Sequence, residues 1–134
     1  MPDLITEENV SVDLLRKILD AAYIEYSMTD KGDMRVKDRI SVLVRPNKEQ
    51  RTIKLFAIFG FKPGSTTAQR LECANKINAE YIIIRASVAG DNFWFEHELM
   101  LDGGLTPKAL VMAIKRFAGI PLPAMLEHAA DLVE

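Results

Sequence analysis

The sequence predicts an α+β domain: an antiparallel β-sheet of about five strands with helices packed on one face. Three observations predict it. Segments whose apolar residues follow helical spacing alternate with segments rich in β-formers. Short turn signals, DKGD at 30–33, PNKEQ at 46–50 and AGDN at 89–92, join most of the strand segments, and links that short make antiparallel pairs. Two corners, GFKPGST at 60–66 and DGGLTPK at 102–108, turn the chain from strand to helix with glycines and a hydroxyl residue.

In chain order, residues 1–10 read as a loose arm ahead of a single domain over 11–134. Ser11 is a helix N-cap with Asp13 in the first turn, and Val12, Leu15, Ile18, Leu19 and Ala22 carry a helix over 12–23. YIEYSMT at 23–29 is a strand, and 34–45 is another, with Ile40, Val42 and Val44 alternating against Arg39, Ser41 and Arg45. RTIKLFAIF at 51–59 is apolar on both faces, Leu55, Ala57 and Phe59 on one and Phe56 and Ile58 on the other, so it belongs at the centre of the sheet. A helix over 66–79 shows Ala68, Leu71, Ala74, Asn75 and Ile77 or Asn78 along one side. YIIIRASV at 81–88 and FWFEHELML at 93–101 form a hairpin. Thr106 caps and Pro107 opens a helix with the stripe Leu110, Val111, Ile114, Phe117 and Ala118, which Gly119 and Pro121 end. A last amphipathic piece carries Leu122, Met125, Leu126, Ala129, Leu132 and Val133. Strands apolar on both faces need cover on both, and one helical layer covers one face. A second subunit on the other face, a homodimer, answers this.

Composition narrows the function classes. Of 134 residues, 49% are hydrophobic and 27% charged, which is globular composition. A net charge of −2 gives no global attraction to nucleic acid or anionic membrane. One cysteine, Cys73, excludes an internal disulfide, and MPDLITEENV lacks the basic start and apolar core of a signal peptide. No apolar run is expected to approach the ~18 residues of a membrane helix, so a cytoplasmic protein is expected.

No motif names a reaction. Gly60 and Gly64 are separated by only three residues, Ser65 stands where a phosphate loop has lysine, and Pro63 lacks an N–H. The loop is a helix cap, and so is DGGLTPK. His97, His128 and Cys73 fall on different elements, with no metal-ligand spacing. His97 shares strand parity with Phe93 and Phe95, as a core-edge histidine. Glu96 and Glu98 share the opposite parity with Trp94 and Met100, as a solvated face. Cys73 lacks a basic neighbour and reads as a small helix residue. Residues 31–54 hold eight basic residues against three acids, a stretch that reads as the wet face of a hairpin. Asn75 and Asn78 read as buried or half-buried amides that satisfy loop backbone.

The helix ending in NKIN runs straight into YIIIRASV, this turns through GDNFWFEHELML, and DGGLTPKALVMAI launches the next helix. This arrangement resembles the YbjN-like family of candidate bacterial sensory-transduction regulators, related in fold to type III secretion chaperones. The resemblance covers roughly residues 11–120 and rests on Asn75, Asn78, the aspartate–glycine turn, Gly104 and Thr106. It implies a type III secretion chaperone-like fold, commonly paired as a dimer, in a bacterial cytoplasm, with a binding or regulatory role. It carries over no catalytic residue and no cofactor. Secretion chaperones bind extended segments on apolar surface and are often more acidic, and the basic stretch 31–54 departs from that habit.

The expectation is therefore a non-enzymatic, protein-binding regulatory or chaperone-like module, homodimeric, with no metal, cofactor or membrane. Phe56, Ile58, Trp94 and Met100 are the candidates for the partner or dimer face. The alternative is an RNA or phosphoryl ligand on the basic hairpin through Arg39, Arg45 and Lys54.

Overall fold

A computed structural model describes residues 2–133. Helix α1 (Val12–Ala21) precedes strands β1 (Tyr26–Met28), β2 (Met34–Lys37), β3 (Ser41–Asn47) and β4 (Thr52–Gly60). Helix α2 (Thr67–Glu80) follows, then strands β5 (Arg85–Ala89) and β6 (Asn92–Met100), then helices α3 (Pro107–Ala118) and α4 (Pro121–His128). The fold is α+β, with a six-stranded antiparallel sheet in the order β1-β2-β3-β4-β6-β5. The strand count exceeds the expected five because 34–45 is two strands. Lys37 pairs with Ser41, and the Asp38 N–H donates to the Ile40 carbonyl across a tight turn.

The core lies between the helices and one face of the sheet. Leu15, Ile18 and Leu19 of α1 and Leu110, Ile114 and Phe117 of α3 join one buried cluster with Val42, Val44, Leu55 and Phe95. Around 25 cal/mol per Å² of apolar surface removed from water drives this layer together. β4 has the expected parity: Leu55 and Ala57 enter this cluster, whereas Phe56, 2% exposed, is buried outside it.

Both corners are helix caps. Thr66 accepts from the Gln69 N–H and Gln69 answers with its side chain to the Thr66 N–H. Thr106 accepts from the Ala109 N–H ahead of Pro107. Gly104 has φ +87°, and a Cβ there would meet Leu4 Cδ1 at 2.8 Å. That contact shows why the expected loose arm is tied down instead. Ile5 is fully buried and exchanges two backbone hydrogen bonds with Leu105, at 2.7 and 2.9 Å.

Five further expectations are corrected. The buried side of α2 is Arg70, Cys73, Ala74 and Ile77, with Leu71 54% exposed and Ala68 exposed. Arg70 turns the helix this way: its guanidinium donates to Ser65 Oγ, the Gly90 carbonyl and Asp91, and lies 4.8 Å from the Phe61 ring centre. The strand read at 81–88 begins only at Arg85, because Ile83 takes φ +64° as the chain leaves α2. The asparagine pair divides. Both are exposed, but Asn78 receives the Ala86 N–H at 2.7 Å and donates to the Ala86 carbonyl at 2.9 Å, while Asn75 makes no side-chain hydrogen bond among the described residues. Finally, Pro107–His128 is a stretch of 22 residues long and apolar enough to cross a membrane. Here it is α3 and α4 broken at Gly119, with Leu110, Phe117, Ala124 and Met125 in the core. Leu132 and Val133, expected on the face of α4, instead follow a turn and lie against β4, where Val133 bridges Phe61.

Replacing Asn78 with Ala should lower stability by about 1–2 kcal/mol, the loss of two hydrogen bonds to backbone. Replacing Asn75 should change it by less than about 0.5 kcal/mol. Urea unfolding followed by circular dichroism measures both.

Candidate functional site

The face of the sheet opposite the helices is the candidate site, and strand registry builds it. Leu43, Phe56, Glu96 and Arg85 stand in one row across β3, β4, β6 and β5. Arg45, Lys54 and Glu98 form the next row, and Ile58, Trp94 and Ser87 the row on the other side. On β2, Arg35 and Lys37 point the same way, since Met34 and Val36 point into the core. The period-2 alternation of each strand places these residues together.

Phe56 is the hub. Trp94 stacks on it with ring centres 6.0 Å apart at an interplanar angle of 14°. The Arg45 guanidinium lies 4.9 Å and the Lys54 ammonium 5.3 Å from its ring centre. Both cations are fixed from their far side. Arg45 makes a bidentate pair with Asp33, both distances 2.7 Å. Glu96 accepts from Lys54 at 3.0 Å and from Arg85 at 2.8 Å. A ring on an uncovered face thus becomes buried under an aromatic and two anchored cations.

The electrostatics follow from these pairs. The hydrogen bond from Arg45 holds the Asp33 carboxyl below its ordinary range, against the opposing effect of burial. Burial pushes the Glu96 carboxyl up, but the hydrogen bonds from Lys54 and Arg85 outweigh it and hold it low. Glu98 is occupied by the Thr52 hydroxyl at 3.0 Å. Asp33 and Glu96 are thus both held charged by the cations they pair with.

The residues singled out from the sequence sort clearly. Phe56, Ile58 and Trp94 come together on this face. Met100 shares the face but sits opposite Thr52, three strand repeats beyond Trp94 and about 20 Å away. Arg45 and Lys54 are neighbours, each already paired. Arg39 lies in the 38–40 turn with its guanidinium beside Gly119 at the end of α3, away from the other two. Arg35 and Lys37 are exposed and make no ion pair among the described residues. His97 faces the core, where burial depresses its pKa. Cys73 is buried, burial raises its pKa, and its thiol points to the Arg70 carbonyl at 3.1 Å, which suits a packing role.

Sequence reasoning missed two groups. Asp33 was hidden in a turn signal, and its role appears only when registry sets it beside Arg45. The second is Glu80, Glu127 and His128, brought together where α2 and α4 end. His128 Nε2 lies 2.7 Å from Glu80 Oε2, and Tyr81 donates to Glu127 Oε2 at 2.9 Å. The partners are 48 positions apart in the chain, so no local spacing reveals them.

The Asp33–Arg45 pair makes a pH prediction. A carboxyl with a depressed native pKa contributes stability above its unfolded value, near 3.9, and loses it as pH falls through the native value. The Asp33 share of the stability to urea should therefore hold steady above about pH 5 and drop below about pH 4. Asp33→Asn should lower the plateau by about 1 kcal/mol, a modest figure because Arg45 is half exposed, and should flatten the acid limb.

Comparison with known proteins places this architecture. Residues 11–120 match the model of the YbjN family, whose description reads "Putative bacterial sensory transduction regulator". The crystal structure of YbjN from E. coli superposes with a TM-score of 0.77, covering 98% of each chain at 16% sequence identity. The type III secretion chaperone SycH of Yersinia pestis, crystallised with a stable fragment of YscM2, superposes with a TM-score of 0.51, covering 90% of this chain and 98% of that one at 15% identity. A search of curated proteins gives no sequence match. At these identities the structural likenesses establish the shared fold, and the family match over residues 11–120 establishes the lineage: the chain belongs to the YbjN family.

Proposed function

We propose that the protein is a non-enzymatic, protein-binding module of regulatory or chaperone-like kind, and that it pairs with a second copy through the outer face of its sheet. One observation carries this reading. Phe56 is buried outside the core, on a face no helix covers, beside a stacked Trp94 and a partly exposed Ile58. Apolar and aromatic surface of this kind, set among fixed charges, has the composition of an interface centre. The family's regulatory description supports a binding role, and SycH, which shares the fold, binds a protein fragment. The proposed setting is the cytoplasm. The basic-hairpin alternative has less support, because Arg45 and Lys54 are spent on Asp33 and Glu96, and free phosphate would meet carboxylates in the same rows.

Size exclusion with light scattering should return a dimer at micromolar concentration; a strict monomer at high micromolar concentration overturns the pairing. Ile58→Glu changes a side chain 40% exposed, so it should leave folding intact and weaken self-association at least about tenfold. Trp94 is the sole tryptophan, and its emission should shift to the blue as the protein is concentrated. An emission spectrum independent of concentration in a proven dimer moves the interface elsewhere.

A further inference from the structure

The corner where α2 and α4 both end carries a second, independent site. Three ligand-type atoms converge there: Glu80 Oε2, His128 Nε2 and Glu127 Oε1. His128 Nε2 lies 2.7 Å from the first and 3.7 Å from the last, and the whole group of ligand atoms fits within 4.8 Å. The two residues on α4 and the one on α2 are held by different helices, so tertiary structure sets their spacing. The His128 side chain is only 12% exposed and is fixed in place, whereas Glu80 and Glu127 are about half exposed and free to adjust. Tyr81 donates to the other oxygen of Glu127, Oε2, and so leaves Oε1 aimed at the imidazole. An outer hydrogen bond that orients a ligating carboxylate is the usual support of a metal site.

The helices add their own field. Both run their C-terminal ends, where unpaired carbonyls concentrate negative potential, into this corner. Neither ends with lysine or arginine: α2 has no basic residue in its last turn, and α4 has only His128. A cavity of about 310 Å³ opens beside His128 and Glu127 and gives water access to the group.

We propose that Glu80, Glu127 and His128 bind a divalent transition metal, with zinc the best fit, at the junction of α2 and α4. Imidazole nitrogen and carboxylate oxygen are both ligand types that zinc takes, and three protein ligands leave its fourth position for water. An imidazole ligand disfavours calcium and magnesium, which take oxygen. Tetrahedral zinc needs ligand atoms about 3.3 Å apart, given bonds of about 2.0–2.2 Å. The 2.7 and 3.7 Å separations bracket that value, so shifts below about 1 Å in two exposed side chains complete the site. The metal takes the place of the hydrogen bond between His128 and Glu80 and ties the last helix to α2.

Calorimetric titration of the metal-free protein with zinc chloride tests this, with magnesium and calcium chloride in parallel. The expected result is one zinc per chain, bound at least tenfold more tightly than calcium or magnesium. Cobalt substitution should give visible absorption bands of four-coordinate nitrogen and oxygen ligation. Both should be lost, with affinity down at least tenfold, in His128→Gln and in the double variant Glu80→Gln, Glu127→Gln. Cys73→Ser and His97→Gln should bind as the parent does. No zinc uptake by the parent protein, unchanged affinity in His128→Gln, or loss of binding in Cys73→Ser or His97→Gln with the Glu80, Glu127 and His128 side chains intact would each overturn the assignment.

Discussion

A central strand with apolar residues on both faces imposes the main constraint on this molecule. Val44, Leu55, Ala57 and Phe95 give the helices a surface to bury, and burial of that surface holds the domain together. The same strand sends Phe56 and Ile58 the other way. The chain has one helical layer, so the second face is finished by local means. Phe56 is roofed by Trp94, Arg45 and Lys54, and those cations are fixed by Asp33 and Glu96. The reading of the outer face as an interface depends on this asymmetry between a face covered by helices and a face covered by side chains.

The polar residues with the most structural consequence are those that hold elements in place. Arg70 buries its stem, lies over Phe61 and satisfies the turn at Gly90 and Asp91. Its position sets which side of α2 meets the sheet. The Ile5–Leu105 bridge ties the N-terminal segment to the approach of α3, and Gly104 admits Leu4 at a distance no Cβ would allow. These few contacts convert loops into fixed distances, and the paired cations and carboxylates on the outer face inherit that rigidity.

The alternation of Ile53 to Phe59, the caps at Ser11 and Thr106, a cap among Ser65, Thr66 and Thr67, and the hairpin at Gly90–Asp91 were all legible, because each depends on neighbours within a few residues. The common side of Phe56 and Ile58 was legible from parity within one strand, whereas Trp94 joins them through the β4–β6 registry, which a one-residue slip would reverse. What could not be read depends on distant partners. An arginine in a helical stripe counts as polar until its acceptors at Ser65, Gly90 and Asp91 are placed beside it. The fold-back at Asp38 lies between two short segments that both alternate as strands, and Glu80 meets His128 only across 48 positions of the chain. Period carries information about faces; it carries none about which polar group will find which.

Asn78 has one more effect beyond joining a helix to a strand. β5 is an outer strand of the sheet, and strands at that position offer free donors and acceptors to any other chain. The carboxamide of Asn78 takes both the N–H and the carbonyl of Ala86, so it imitates one residue of a neighbouring strand and occupies the place where a foreign strand would start to add. A molecule with an apolar sheet face runs a risk of open-ended polymerisation. Here the border is blocked at Ala86, so a foreign strand cannot pair with β5 at that residue.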